Sequence, residues 1–358
     1  MKKRYYILLI FLVFGIFLNS CSGGHKFSTI GKEYDLLLFA DNEFYNARED
    51  MILDNLSNKV FFTHSESIFK IMKKNIEKAS RMKKYKNIVF IDNIMTTEDV
   101  TTYITDVLGS DKVYETKDVT IAHKENMWAE GQTVVFLLFA GDVITEDDIE
   151  KAVEKAGDIV EKDVQKRIED ELFKEDTNSE LVKKAKERFD FKLHIPKRYF
   201  SFKEKDDFLS VVTRAPDRLF FFYSEEYSAS KQVNEENAVK LRNKVTGMYY
   251  DGDVVFTEMK EWKKESPDKN YFYNFEKIDY KGNSFYKLQG LWENNENIRG
   301  GVFVTYYYHD KENNKIYLID AMLHNPGEPK WPYINKMSMI QRKNTELIID
   351  QINQKKKE

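Results

Sequence analysis

The chain has 358 residues, 42% hydrophobic and 32% charged, with 56 basic and 60 acidic residues giving a formal charge of −4. That is too apolar for a disordered chain, and the near-balance of charge provides no global attraction to nucleic acid. The single cysteine excludes an intramolecular disulfide and a cysteine-built zinc site, and the length fits two domains of ~150 residues each.

Met1-Lys2-Lys3-Arg4 is a positively charged opening, followed by an apolar run, Tyr5 to Leu18, broken only by Gly15. The run has the length of a signal-peptide core and falls short of the ~20 residues that a spanning helix needs. It ends in Leu18-Asn19-Ser20-Cys21, which resembles the bacterial lipobox. The alternatives are an ordinary signal peptide or a short anchor helix with a chance cysteine. The resemblance implies that residues 1–20 are removed, that the Cys21 thiol carries a diacylglycerol and that its amine carries a further acyl chain such as palmitate. Two or three chains give stable attachment to the bilayer where one is marginal. Loss of Lys2, Lys3 and Arg4 takes the formal charge from −4 to −7. Residues 21–31, with Ser22-Gly23-Gly24, read as a lipidated tether. Ser22 in place of an acidic residue points to the outer membrane, and the non-acidic tether points to its periplasmic face.

Residues 32–190 read as an N-terminal α+β domain. Tyr34–Ala40, Val60–Phe62, Asn87–Asp92, Thr116–His123 and Gln132–Ala140 are strand candidates. Ile68–Tyr85, with apolar Ile68, Ile71, Met72 and Ile76, reads as a helix with a lysine-rich face suited to anionic headgroups or to solvent. A helix from Thr96 to Leu108 stops at Gly109. The clearest element is Glu146–Lys174, where Ile149, Val153, Ala156, Val160, Val164, Ile168 and Leu172 form one apolar stripe. A second helix spans Glu180–Arg188.

A boundary is expected near 190, because all six prolines lie at or after Pro196 and aromatic residues become denser. In residues 191–358, Phe191–Pro196 alternates like a strand entering a turn. Further strands are expected at Tyr199–Lys203, Phe208–Thr213, Arg218–Tyr223, Tyr271–Tyr280, Ser284–Trp292, Val302–His309 and Lys315–Leu323. The last four, about ten residues apart, read as an antiparallel meander. Helices are expected at Glu235–Met248 and Tyr333–Ile352. The fold class is therefore α+β: two α/β domains, the second an antiparallel meander sheet flanked by helices.

Several segments of this half carry a family pattern: Phe191–Tyr199, Gln289-Gly290-Leu291-Trp292, Arg299-Gly300-Gly301-Val302-Phe303-Val304-Thr305-Tyr306 and Ile319–Gly327. With the lipobox, they resemble an uncharacterised lipoprotein family of Bacteroidota-type bacteria, domain of unknown function 4837. The resemblance implies compartment and architecture but no activity. More loosely, the second half is similar to the α/β/α sandwich of the PsbP and Mog1 group, a likeness of fold that does not give function.

No metalloprotease helix, nucleophile elbow, phosphate loop, dinucleotide fingerprint or EF-hand loop is present in the sequence. The best polar constellation is His309-Asp310 at one strand end with Asp320 and His324 on or after the next. Convergence at a hairpin mouth would let them bind Zn²⁺ or run acid–base chemistry. The alternative is that they are turn and backbone-bonding residues. Trp292, Arg299 and Trp331 are candidates for a binding surface, with aromatic core ladders as the competing explanation. The functional expectation is a membrane-anchored, non-enzymatic binding or assembly module of the cell envelope. It would need no cofactor, would not bind nucleic acid, and would have an envelope protein or glycan as partner. The alternatives are an envelope hydrolase built on His309, Asp310, Asp320 and His324, or a lipid or small-ligand carrier.

Overall fold

A computed structural model of the chain describes residues 27–95, 99–116, 118–140 and 144–357. Cys21, the expected signal peptide and the first part of the expected tether lie outside the described residues. Packing divides the chain into two units. One holds the residues up to Leu53 with Ile71–Val160, and the other holds Asp54–Lys70 with Glu161 onward. The division falls inside a helix and not near residue 190, where composition changes. The apolar stripe of that helix continues past the division, with Val153, Ala156, Val160, Val164 and Ile168 all buried.

The first unit is built on a five-stranded sheet: β1 (Asp35–Ala40), β2 (Lys70–Lys73), β3 (Asn87–Asn93), β4 (Val119–Glu125) and β5 (Thr133–Phe139), in the order β2-β1-β3-β5-β4. β1, β3 and β5 are parallel neighbours, and β4 returns antiparallel to β5. Parallel strands are covered on both faces and read as unbroken apolar runs. Leu36–Phe39, Ile88–Ile91 and Val134–Phe139 are such runs, and all are buried. Phe39, Phe90 and Phe136 stack across the three strands with centroids 5.1 and 5.0 Å apart. Helix α1 (Asp99–Leu108) adds Val100 and Ile104 to this core.

The helix expected over Ile68–Tyr85 does not form. That segment is β2, a 3₁₀ turn at Ile76–Lys78 and a short helix at Ala79–Met82. Ile71 and Met72 extend the sheet beside β1, and the Lys74 amide donates to the Leu38 carbonyl at 2.9 Å. The lysines consequently do not share the face of one helix.

Helix α2 (Glu146–Lys174) has the expected bounds, and α3 (Ser179–Phe189) follows it. The second unit is dominated by an eight-stranded antiparallel sheet. Its strands are β6 (Phe200–Lys205), β7 (Phe208–Thr213), β8 (Asp217–Glu226), β9 (Val254–Val255), β10 (Asn274–Tyr280), β11 (Asn283–Asn294), β12 (Arg299–Asp310) and β13 (Lys315–His324). The order is β6-β7-β8-β13-β12-β11-β9, with β10 also on β11. Helices α4 (Glu235–Tyr249) and α5 (Trp331–Lys355) cover opposite faces. Consecutive residues of a strand point to opposite faces. Accordingly, the Tyr306 hydroxyl meets Ser338 of α5 at 2.8 Å, and the Tyr307 hydroxyl donates to the Ala238 carbonyl of α4 at 2.9 Å. With both faces covered, Tyr306, Tyr307 and Tyr308 are all core residues, and this unit is the helix–sheet–helix sandwich that the resemblance implied.

Phe191–Pro196 is not a ladder strand. Phe191, Leu193 and Ile195 are buried in alternation, but the exposed-side backbone bonds to amide side chains of α5. Asn344 Oδ1 accepts from the His194 amide at 2.6 Å, and Asn344 Nδ2 donates to the His194 carbonyl at 3.1 Å. Gln351 repeats the pattern on Lys192, at 2.8 and 3.0 Å. Two carboxamides thus replace a partner strand.

Residues Asp54–Lys70 join the second unit through a small hairpin. The Phe61 amide donates to the Asn270 carbonyl at 2.7 Å, and the rings of Phe61 and Tyr271 meet at 4.7 Å. Glu66, nearly buried, accepts from the Lys330 and Trp331 amides at 2.7 and 3.3 Å. It supplies an anion where the α5 dipole favours one.

Candidate functional site

Pairing places Trp292 opposite Gly301 and Phe303 opposite Met322, on the face that α4 covers. At the end of this face lies a cavity of about 150 Å³. Its walls are Tyr250, Asp253, Trp292, Arg299, Met322 and His324, with Phe202, Lys203, Arg214 and Asp217 also lining it.

Glycine is needed where Trp292 lies against the sheet. A Cβ on Gly301 would stand 2.0 Å from the Leu323 carbonyl oxygen and 2.9 Å from Trp292 Nε1. The Gly300-Gly301 pair, read from sequence as a turn marker, therefore seats an indole. The His324 ring lies 6.2 Å from that indole, and its Nδ1 is 2.8 Å from the Gly300 carbonyl. A carbonyl only accepts, so Nδ1 carries the hydrogen, and in the neutral ring Nε2 presents a lone pair.

Asp253 follows α4 in a tight turn, with Asp251 at φ 58° and Gly252 at φ 91°. Asn294 fixes the turn by donating to the Asp251 carbonyl at 3.0 Å and to Asp253 Oδ1 at 2.7 Å. Arg299 reaches Asp253 Oδ1 at 3.5 Å, the limit of a hydrogen bond, and lies 5.8 Å over the Trp292 ring. Asp253 Oδ2 has no hydrogen-bond donor among the described residues. Lys203 bonds the Tyr249 carbonyl at 2.6 Å and makes no ion pair among them. Burial raises the Tyr250 hydroxyl above the usual phenol range, so it stays neutral, paired with Ser210 at 2.5 Å.

On the same face, Arg242 of α4 and Asp320 of β13 form an ion pair at 2.9 Å, and both side chains are fully buried. The guanidinium lies 3.7 Å over the Phe303 ring. Thr305 donates to the same carboxylate oxygen. Burial pushes the Asp320 carboxyl upward, against the pull of Arg242 and Thr305. Both terminal nitrogens of Arg242 and Oδ1 of Asp320 are buried without a hydrogen-bond partner among the described residues.

The four-residue polar cluster expected from sequence is not brought together. The hairpin register sets Thr305 opposite Asp320 and His309 opposite Ile316. His324 is eight residues along β13 from Ile316, ~27 Å at the rise of a strand. Asp310 accepts from the Asn313 side chain at 2.6 Å within the hairpin turn, and His309 packs edge-on to Tyr227 at 4.9 Å. Burial lowers the His309 pKa, so the ring is neutral in that packing. Hairpin ends approach across strands, but these groups are spread along them. Of the expected binding surface, Trp292 and Arg299 meet, though Trp292 is a buried wall and not an exposed ring. Trp331 lies apart, at the start of α5.

The site residues that the sequence reading missed are Asp253, Tyr250 and Arg242. The first two flank an Asp-Gly turn after a helix, a visible signal. Arg242 interrupts the apolar stripe Ala238, Leu241, Val245, and a lone charge in such a stripe is a signal too.

A second, open groove of about 660 Å³ lies beside Lys186, His194, Asp350 and Lys355. Of its three lysines, Lys186 and Lys355 are both bound by Asp190. Gln351 is committed to the Lys192 backbone, so fewer groups there are free for a ligand.

Residues 178–342 match the family model described as a domain of unknown function (DUF4837). No curated protein matches the chain. Among solved structures, one from Bacteroides thetaiotaomicron is similar at 8% identity over 44% of this chain and 42% of that one, with a TM-score of 0.22. A Mog1 point mutant is similar at 9% identity over 43% of this chain and 85% of that one, with a TM-score of 0.25. The chain thus matches less than half the length of the first, and likenesses at this level carry no argument about function.

Proposed function

We propose that this chain is a non-enzymatic binding module of the cell envelope, lipid-anchored through Cys21 on the periplasmic side of the outer membrane. The cavity on the α4 side of the second unit is its ligand site. The observation that carries the binding role is the cavity itself: Trp292 and Arg299 meet there with an open carboxylate oxygen of Asp253. A binding pocket joins apolar walls to a few placed polar groups, and Met322, Leu219 and Val212 supply the apolar part. The separation of His309 and Asp310 from Asp320 and His324 removes the constellation on which an envelope hydrolase was argued. The lipobox and the non-acidic tether support the anchor and its location.

Native mass spectrometry of protein released from envelopes tests the binding role. A small molecule co-purifying with the wild type and absent from Arg299→Met supports it. A ligand-free wild type in every envelope preparation would overturn it. Radiolabelled palmitate incorporation that survives Cys21→Ser would overturn the anchor.

A further inference from the structure

We propose that the cavity takes a zwitterionic α-amino acid with a small side chain, held by its ammonium on Asp253 and its carboxylate on Arg299. The inference rests on the cavity being a ligand site.

The charges decide the class. Arg299 and Asp253 stand 3.5 Å apart, a weak contact that leaves most of the guanidinium and Asp253 Oδ2 unused. Arg214 is spent on Asp217 at 2.8 Å. Lys203 adds a cation with no carboxylate partner among the described residues. A simple anion entering here meets Asp253 and Asp251, and a simple cation meets Arg299 and Lys203. A neutral polyol compensates neither charge for its lost water, and a desolvated charge is costly unless paired. A ligand carrying both charges on neighbouring atoms satisfies both. Arginine is suited to the carboxylate because its fork donates two parallel hydrogen bonds. His324, whose Nδ1 is held by the Gly300 carbonyl, also lines the cavity.

Size and polarity limit the side chain. The cavity, at about 150 Å³, has room for about five waters, which matches a small amino acid. Met322, Leu219 and Val212 form the apolar part of the wall, and they fit a short aliphatic group.

The test is a thermal-shift and calorimetry series on the detergent-solubilised full chain. The probes are the free small amino acids, their N-acetyl and methyl-ester derivatives, acetate, methylammonium and simple monosaccharides, each at millimolar concentration. The expected result is that at least one free amino acid raises the midpoint while its two blocked derivatives do not. Arg299→Gln then lowers affinity by about tenfold or more, and Asp253→Asn does the same. If Asp253→Asn does not fold, the N-acetyl derivative reads the ammonium contact alone. An N-acetylated or esterified form that binds as well as the free amino acid overturns the proposal. Binding of a monosaccharide or acetate with no amino acid binding overturns the class and leaves the cavity as a ligand site. No shift from any probe overturns the class, and native mass spectrometry then decides the site separately.

Discussion

Asp92, in the first unit, is expected to cost the protein stability at neutral pH. It sits on β3, is 1% exposed, and follows the last β1–β3 pair, Ala40 with Ile91, as Asp41 does on the other chain segment. Burial raises its carboxyl from an ordinary value of 3.8 to about 6, and the Asp41 charge adds to this. Thr101, which donates to Asp92 Oδ2, opposes the rise without cancelling it. A rise of about two pH units is worth ~3 kcal/mol. The sign follows from proton counting. Below 3.8 the acid is protonated in both states and carries no penalty. Between 3.8 and 6 the unfolded chain releases the proton first, so stability falls as the pH rises, and above 6 the loss is complete. Asp92→Asn keeps the oxygen that accepts from Thr101 and removes the titration. Hydrogen exchange in urea, read on peptides covering β3, should show the variant more stable by up to ~3 kcal/mol at neutral pH, with the difference vanishing below about pH 4. Equal stabilities at neutral pH, or a variant that is less stable there, would refute the reasoning.

Three further outcomes are expected in the second unit. Arg242→Met should cost ~3–5 kcal/mol because it leaves Asp320 buried and unpaired, whereas Arg242→Met with Asp320→Leu should return close to wild type; a double variant as unstable as the single one would count against this in chemical denaturation. Gly301→Ala should destabilise by ~1–3 kcal/mol or more, since the blocking atom is the Leu323 backbone carbonyl, whereas Gly247→Ala, in α4 with nothing within 4 Å, should stabilise by up to ~1 kcal/mol; thermal melts that move both variants in one direction contradict the packing argument. Asn344→Leu strips the His194 amide and carbonyl of their partners and should cost ~2–4 kcal/mol, an effect that would be absent if Phe191–Pro196 were held by its apolar residues alone.

What the sequence revealed, and what it hid, has one physical origin. Periodicity reports burial, and burial is local. The stripe of α2 was legible because a 3.6-residue period survives whatever packs against it, and the meander was legible because turn residues separate its strands. The same property misleads at Phe191–Pro196. There the two-residue period is real, but the hydrogen-bonding partners are Asn344 and Gln351, about 150 residues away, and nothing local distinguishes a carboxamide partner from a strand. It misleads again over Ile68–Tyr85, where an edge position beside β1 outweighs helical spacing. The site follows the same division. Trp292, Arg299 and His324 were legible as residue types suited to binding, but which of them meet is set by register. A hairpin aligned on Thr305 and Asp320 sends His309 to one end of the sheet and His324 to the other. It leaves the second end to a turn after α4, and that turn brings Asp253 to Arg299 across 46 residues of chain. Local chemistry selected the candidates, and sheet topology sorted them into a cavity and a turn.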